Sequence, residues 1–289
     1  YTPNASDTQG IDIPGKSDGG RATCQSCHGN VPHLEDSKLN DHTDKLACQT
    51  CHIPEYSRGD YASKEWWDWS TAGRLNADNT PLSKTDADDN EIYSSKKGDF
   101  RWEENVIPEY VWFNGTVDYT LLGDKIDPTK IVAINSFRGS AEDSDARIWP
   151  VKVMRGKQPY DAGNMTLAIP HTVGKDGFWK TFEWGPALSK GMAAAGAPFS
   201  GDYGFVETSM MWPITHMVAP KEQALDCVSC HAKNGRLENV TGVYIPGRDS
   251  VSFLDIIGFS ILGLTLAGTL LHGVLRFFTR NKGQTDDRV

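Results

Sequence analysis

Hydrophobic residues are unevenly distributed along this chain, and the longest apolar run lies near its C-terminus. Residues 256–275 contain no Asp, Glu, Lys or Arg. A helix of this length extends about 30 Å, the thickness of the hydrocarbon core of a bilayer. The pattern therefore predicts a transmembrane helix over residues 251–278. A buried helix of a soluble core is the alternative, and the basic residues that follow at once argue against it: Arg276, Arg280 and Lys282.

The charges on either side of this run predict its orientation. Asp249 and Asp255 precede it, whereas three basic residues follow it. Because Lys and Arg remain on the cytoplasmic side of a membrane helix, we expect residues 279–289 to form a cytoplasmic tail. The preceding 250 residues would then lie outside.

Alternating apolar and polar positions predict a β-rich region at about residues 100–160. Segments 108–113 and 116–120 flank Asn114-Gly115, a dipeptide typical of the type I′ turn of a two-stranded hairpin. Further elements are expected at three places: strands at 131–134 and 147–154, and a short helix at 188–195.

Two stretches show no such pattern. Residues 1–22 are rich in Gly, Ser, Asp, Thr and Pro and predict an extended arm or a linker. Residues 76–99 are acidic and rich in Asn and Ser, which is typical of a solvated loop. The chain begins at Tyr1 without an initiator methionine or a signal peptide, so we expect a processed product or a fragment.

Composition narrows the class of protein. The 289 residues suffice for one or two domains, and nine Trp with 38% hydrophobic residues allow a packed core. The 38 Asp and Glu outnumber the 29 Lys and Arg, so the net charge is −9. This charge argues against nucleic acid as a partner.

The cysteines carry the strongest chemical signal, because all six fall in three C-x-x-C-H motifs. At this spacing two thiols can form thioethers with one haem, and the following histidine can bind its iron. The sequence therefore predicts three covalent c-type haems. Their attachment residues are Cys24, Cys27, Cys48, Cys51, Cys227 and Cys230, and their proximal iron ligands are His28, His52 and His231.

Two other interpretations of the cysteines remain open. The first two pairs have the C-x2-C-x20-C-x2-C spacing of a four-cysteine zinc site. Disulfides are the second possibility in an exported protein. Neither explains why a histidine follows each pair directly, nor why a third pair lies far away.

Together these features predict a periplasmic trihaem domain over residues 23–250. The expected fold is that of a multihaem cytochrome c: irregular, mostly helix and loop around the haems, with a β-rich insertion at 100–160. One C-terminal transmembrane helix would anchor it in the inner membrane.

Each haem iron also needs a sixth ligand, and five histidines lie outside the motifs. Irons closed by a second histidine conduct electrons without binding substrate, whereas an open iron is a candidate reaction centre. We expect closed irons, with His42, His171 and His216 as the distal set. His33 would reach a neighbouring haem or one supplied by another polypeptide.

The fifth histidine, His272, lies within the predicted membrane helix. It shares a helical face with small and partly polar residues, typical of close helix packing: Gly258, Ile261, Thr265 and Gly268. One interpretation is an axial ligand to a b-type haem shared with an adjoining membrane subunit. The other is an interfacial histidine one turn before Arg276.

Several stretches resemble the C-terminal part of the octahaem c-type cytochromes of the tetrathionate reductase family. They are CQTCHIPEYSRG, WDWSTAG, IPEYVWFNGTVDYTLLGDKIDP, ARIWPVKVMRGKQPYD, YGFVETSMMWPITHMVAPKEQALDCVSCH and GVYIPGRD. The resemblance implies a periplasmic multihaem protein associated with reduction of tetrathionate and, in some members, of nitrite or hydroxylamine. Some relatives carry a C-terminal membrane segment that leads to a cytochrome b.

The chain departs from that family in having three haem motifs instead of eight. The family's reaction-centre haem, which has a lysine ligand, would belong to a missing upstream portion. Lys152 and Lys157 are present, but nothing in the sequence supports that role for either.

The expected function is electron transfer by a membrane-anchored trihaem subunit. It would connect a quinone-linked membrane partner or cytochrome b with a periplasmic or extracellular multihaem protein. The alternative is a catalytic subunit of a tetrathionate, nitrite or hydroxylamine reductase. A structural anchor for a larger cytochrome assembly is a third interpretation.

Overall fold

The computed structural model describes residues 24–282. The helices are α1 (Cys24–His28), α2 (Ser37–His42), α3 (Cys48–His52), α4 (Phe178–Thr181), α5 (Trp184–Ala194), α6 (Cys227–Cys230) and α7 (Ser252–Lys282). The strands are β1 (Ser63–Asp68), β2 (Ser83–Thr85), β3 (Glu91–Ser94), β4 (Gly98–Glu103), β5 (Glu109–Phe113), β6 (Val117–Tyr119), β7 (Val132–Ala133), β8 (Asn135–Phe137), β9 (Arg147–Asp161), β10 (Thr166–Leu167) and β11 (Tyr203–Pro213). The extended arm expected at 1–22 and the tail beyond 282 lie outside the described residues.

The described residues divide into two compact units. The first contains residues 24–227 and 239–243, and the second contains residues 228–238 and 244–282. The first and second haem motifs belong entirely to the first unit.

A mixed sheet built around β9 dominates the first unit. The strand order is β2-β3-β4-β1-β9-β11-β7, and β5 and β10 also pair with β9. Strand β9 pairs antiparallel with β11 over eleven residue pairs, from Tyr203–Asp161 to Pro213–Val151. Its other edge pairs antiparallel with β5 and then parallel with β1. A 15-residue strand held on both edges is the rigid centre of this unit.

The β structure extends well beyond the expected insertion. Strands in the described part of the chain run from Ser63 to Pro213, so the expectation of a mostly helix-and-loop fold with strands confined to 100–160 is wrong. The alternation of apolar and polar residues in β9 weakens after Met154, where Arg155 and Lys157 are polar. This segment is nonetheless a strand, because it pairs with β11 on one edge and β1 on the other. The acidic stretch at 76–99 likewise contributes β2 and β3 to the sheet.

The hairpin expected at Asn114-Gly115 is also wrong, although both of its strands exist. Strand β5 pairs with β9, and β6 pairs with β8. Gly115 has φ +85°, but Asn114 does not share the positive φ that a type I′ turn requires at both positions. The side chain of Asn114 instead accepts a hydrogen bond from the Thr116 amide and donates one to Asp143.

The helical elements α4 and α5 build the main apolar core on this sheet. Helix α5 confirms the helix expected near 188–195 and buries Trp184, Leu188 and Met192. Trp184 packs against Phe178 with ring centroids 4.0 Å apart, and Trp69 contacts it edge-on at 6.0 Å. Trp69 and Trp184 therefore help to fill an ordinary protein core.

Helix α7 occupies most of the second unit. Residues 252–280 are long and apolar enough to cross a membrane by length and composition, and none of the apolar window is buried against the rest of the protein. The helical prediction for this segment is confirmed. An exposed apolar surface of this size is consistent with a membrane anchor.

Candidate haem-binding site

Each C-x-x-C pair begins a short helical turn: α1, α3 and α6. In a helix, residues three and four positions apart lie on the same face. The two cysteines and the histidine of a motif therefore project together in α1 and α3. This arrangement presents two thiols and an imidazole to one planar group.

Strand β9 holds the second motif in place. Thr50 Oγ1 donates to the carbonyl of Ile148 at 2.7 Å, and the amide of Ala47 donates to the same carbonyl at 3.0 Å. Gln49 and Thr50 are buried at 2% and 0% exposure, whereas Cys48 and Cys51 remain half-buried. The residues between the two cysteines therefore pack against the sheet, and the cysteine side chains remain partly accessible to solvent.

The first motif ends in a tight turn. The amide of Gly29 donates to the carbonyl of Gln25 at 2.8 Å, and Gly29 has φ +71°. A left-handed glycine directly after a helix closes its last turn. His28 is exposed at that end of α1.

The thiols of Cys24 and Cys48 are within hydrogen-bonding distance, so the first two motifs touch. The hydrogen bond from Cys24 to Cys48 raises the pKa of Cys24, with burial adding to the effect. The same bond lowers the pKa of the Cys48 thiol, and the positive charge of Arg147 lowers it further. Groups attached to these two thiols would be close neighbours.

The structure brings three of the predicted iron ligands together beside these thiols. The rings of His33 and His52 lie 6.2 Å apart between centroids with an interplanar angle of 9°. Burial lowers the pKa of His52, and the nearby charges of His33 and His28 lower it further. His33 thus belongs to the environment of the second motif.

Two further histidines have their Nδ1 atoms bonded to backbone carbonyls. Nδ1 of His42 lies 2.5 Å from the carbonyl of Lys38, and Nδ1 of His231 lies 2.9 Å from that of Pro246. Because a carbonyl only accepts, Nδ1 carries the proton in both rings. This tautomer makes Nε2 the nitrogen that can bind a metal, as in many metal-ligating histidines.

The remaining distal candidates lie elsewhere in the first unit. Nε2 of His171 is 3.5 Å from Asp176 Oδ1, and Lys190 pairs with the same carboxylate. His216 is exposed in the segment after β11. The roles of His42, His171 and His216 as distal ligands stay predictions.

The segment that precedes the third motif is hydrogen-bonded to the second motif. The amide of Leu225 donates to the carbonyl of Cys51 at 2.9 Å, and that of Ala219 donates to the carbonyl of His52 at 2.9 Å. The segment leading to Cys227 therefore runs beside the second motif.

The surroundings of the first motif fit a covalent haem. All six cysteines are free thiols. Within residues 24–282, no group of three or more His, Cys, Asp or Glu side chains is arranged to hold a metal ion. Apolar side chains beside the first motif are exposed, Leu34 at 91% and Val31 at 61%, as expected where an apolar cofactor covers them.

Lys152 is held away from any ligand role by a buried ion pair. Its Nζ lies 3.2 Å from Glu65 Oε1, with side-chain exposures of 19% and 9%, and it also bonds to Ser63. The hydroxyl of Tyr56 donates to the other carboxylate oxygen at 2.9 Å. Burial and this bond to Glu65 raise the pKa of Tyr56.

Sequence reasoning did not identify two supporting residues of the site, Thr50 and Asn40. Thr50 bonds to a strand 98 residues later, and Asn40 forms three contacts with His33. Neither residue type carries a signal that distinguishes it from an ordinary polar residue. Asn40 lies seven residues from His33, and only the turn between α1 and α2 brings them together.

Comparisons with known proteins agree with this site. The crystal structure of an octahaem cytochrome c from Shewanella oneidensis is similar, with a TM-score of 0.71 and 39% sequence identity. The match covers 80% of this chain and 54% of that one, so this chain spans about half the length of the octahaem protein. No curated protein matches this chain.

A family comparison covers the sheet and the third motif. The family model described as bacterial cytochrome c matches residues 64–234, more than half of the chain. Together with the three helical C-x-x-C-H turns, this match shows that the chain belongs to the bacterial cytochrome c family, which implies covalently bound haem c.

Proposed function

We propose that this multihaem cytochrome c is the membrane-anchored, trihaem electron-transfer subunit of an oxidoreductase complex. It passes electrons between a quinone-linked membrane partner and a periplasmic or extracellular multihaem redox protein. The observation that carries the proposal is the contact between the first two motifs, where Cys24 meets Cys48. Haems attached to touching thiols are close enough to form a relay.

Covalently bound haem supplies the one-electron chemistry, and the chain supplies attachment and rigidity. The thiols fix the cofactor, and the motif histidines His28, His52 and His231 orient it. Gln49 and Thr50, the two residues between the cysteines of the second motif, are buried, and the hydrogen bond of Thr50 holds the motif against the sheet. No proton transfer by a side chain is needed for this role.

The anchor in this proposal is α7. Its apolar surface is exposed along the whole candidate span, and basic residues lie at its C-terminal end. These features support an inner-membrane helix with the N-terminal domain in the periplasm and the C-terminus in the cytoplasm. Covalent haem attachment outside the cytoplasm is consistent with the same orientation.

His272 on this helix is the proposed contact with a cytochrome b. A Cβ added to Gly258 or Gly268 would meet no atom within 4 Å, so this helix face is open to a neighbouring helix. The hydroxyl of Thr265 on the same face donates to the carbonyl of Ile261 at 2.8 Å, which satisfies it within the helix. We propose His272 as an axial ligand of a b-type haem in the partner.

A catalytic subunit of a tetrathionate, nitrite or hydroxylamine reductase is the alternative. A cavity of about 140 Å³ is lined in part by Tyr56, four residues after His52. Arg101 and Arg155 also line it and could attract an oxyanion. However, these cations pair with Glu103 at 3.1 Å and Glu109 at 2.8 Å. Glu65 in the same lining is paired with Lys152. Because the charges of both arginines are compensated by carboxylates, their attraction for an oxyanion is weak, which favours the electron-transfer role.

Haem stoichiometry and spin state on the intact membrane complex test the proposal. We expect three c-type haems per chain, all low-spin and unchanged by tetrathionate, nitrite or hydroxylamine. A high-spin fraction that shifts with one of these compounds would support the reductase instead. Fewer than three c-type haems would contradict the relay.

Two variants test the membrane part separately. Truncation after residue 250 should release a haem-containing protein from the membrane into the soluble fraction. His272→Ala should remove one b-type haem from the complex and leave the c-type content unchanged. Thr269→Ala is the control, since it alters a helix hydroxyl that bonds within the helix. Unchanged b-haem content in His272→Ala would exclude the ligand role.

A further inference from the structure

We infer that His33 is the sixth ligand of the iron held by the second motif, and that Asn40 positions it. This assignment rests on haem being bound at Cys48 and Cys51, as proposed above. The sequence placed His33 outside the expected distal set of His42, His171 and His216 and expected it to reach a neighbouring haem or one of another polypeptide. The assignment specifies that neighbour as the haem of the second motif.

The imidazoles of His33 and His52 have the relative geometry of two ligands of one iron. The rings of His33 and His52 are nearly parallel, at 9°, with centroids 6.2 Å apart. Two imidazoles on opposite sides of one metal ion, each at a metal–nitrogen distance of about 2 Å, have centroids roughly 6 Å apart. The observed separation matches a shared iron, with His52 as the proximal partner.

Asn40 fixes the tautomer of His33. Asn40 Oδ1 accepts a hydrogen bond from the His33 amide at 3.0 Å and lies 3.3 Å from ring Nδ1. Asn40 Nδ2 donates to the His33 carbonyl at 2.7 Å. Because a backbone amide only donates and a carbonyl only accepts, these two bonds fix the orientation of the carboxamide. Nδ1 therefore donates its proton to Oδ1, and Nε2 carries the lone pair that binds a metal.

Asn40 lies on a helix whose first turn is capped. Asp36 caps α2 by accepting hydrogen bonds from the amides of Lys38 at 2.9 Å and Leu39 at 3.3 Å. Asn40 lies in this capped helix, so the cap fixes the backbone position from which its side chain reaches His33. A fixed partner on the non-ligating nitrogen is a common feature of metal-binding histidines. Asn40 is thus a positioning residue and His33 the ligand.

Spectroscopy of the haem-loaded, full-length protein tests the assignment. His33→Ala should convert one haem equivalent from low-spin to high-spin, and added imidazole should restore the low-spin state. His33→Met should keep that haem low-spin and raise one of the midpoint potentials, because a His/Met pair favours the reduced iron. Glu35→Ala, at an exposed polar position two residues away, is the control and should change neither property.

Asn40→Ala tests the positioning role. It should produce a partial high-spin fraction of the same haem that falls on addition of imidazole, whereas Asn90→Ala should not. A spectrum identical to that of the unmodified protein in Asn40→Ala would remove the positioning role.

A combined variant identifies which iron is affected. In a protein without the thiols of the second motif, Cys48→Ala/Cys51→Ala, adding His33→Ala should no longer change the spin state. If it still does, His33 serves another iron. If that protein does not fold, unchanged spin state and potentials in both His33→Ala and His33→Met overturn the assignment by themselves.

Mass analysis separates this inference from the proposed function. A missing haem at Cys48 and Cys51 in the unmodified protein contradicts both. A full haem complement with His33→Ala still entirely low-spin contradicts only the ligand assignment.

Discussion

Thr50 is joined to Ile148 by a buried hydrogen bond, in which Thr50 Oγ1 donates to the Ile148 carbonyl at 2.7 Å. Thr50 lies between the two cysteines of the second motif, and Ile148 lies near the start of β9. This bond therefore connects a haem-attachment turn to the rigid centre of the sheet.

Thr50→Val should lower the free energy of unfolding by about 1 kcal/mol, the net contribution of a typical hydrogen bond. The loss is moderate because the Ile148 carbonyl keeps its bond from the Ala47 amide at 3.0 Å. Thermal unfolding of the haem-loaded protein, followed by haem absorbance, measures it. The exposed Thr85→Val is the control and should change stability by less than about 0.5 kcal/mol. Equal melting of the two variants would show that the bond does not anchor the motif.

Lys152→Met should lower stability by about 3 kcal/mol, since it leaves the buried carboxylate of Glu65 without its cation. The double variant Lys152→Met/Glu65→Gln should lose less than the sum of the single changes, because the uncompensated charge is gone. Chemical unfolding measures both. Lys38→Met removes an exposed ion pair and should change stability little.

The same Lys152 variant tests whether lysine ligates a haem in this chain. We expect the low-spin absorption spectrum to stay unchanged in Lys152→Met. A new high-spin band would assign Lys152 to an iron and contradict the ion-pair role.

Asp161→Asn should make stability less dependent on acid pH. Burial would raise the pKa of Asp161, but hydrogen bonds from Ser200 and Asn164 outweigh it and lower the pKa to about 2. A folded-state pKa below that of the unfolded chain stabilises the fold above about pH 4, and the effect disappears as the pH falls towards 2. We expect the variant to be about 2 kcal/mol less stable at pH 7, with the difference vanishing near pH 2.

Urea unfolding midpoints of both proteins across this pH range check the result. The exposed Asp145→Asn is the control and should parallel the unmodified protein. A constant difference between Asp161→Asn and the unmodified protein down to pH 2 would argue against this titration.

Gly191→Ala should destabilise the α5 core by more than about 2 kcal/mol, because a Cβ there would lie 1.9 Å from the Ile169 carbonyl. Gly185→Ala in the same helix is the matched control. Its Cβ would meet only Tyr203 Cε1, at 3.9 Å, so higher helix propensity should make it neutral or slightly stabilising. Thermal unfolding compares the two, and similar melting temperatures would contradict the close approach of α5 to residue 169.

Local sequence patterns predicted where some strands lie but not which strands pair. Segments 131–134 and 147–154 were predicted as strands, and they contain β7 and the first half of β9. Their partners could not be predicted, because β9 pairs with strands more than 40 residues away in both directions. The Asn114-Gly115 turn shows the same limit, since a local turn preference is weaker than pairing with two distant strands.

The sequence by itself determined the chemistry of this protein and its most apolar helix. The C-x-x-C-H spacing predicts covalent haem, which the family match supports, and the charge-free run at 256–275 predicts a helix through length and hydropathy. Only the tertiary structure decided which ligands meet. The contact of Cys24 with Cys48 depends on β9 anchoring the second motif, and the parallel rings of His33 and His52 depend also on Asn40 of α2 holding His33. Packing and hydrogen bonds between distant segments set these positions, and no local pattern records them.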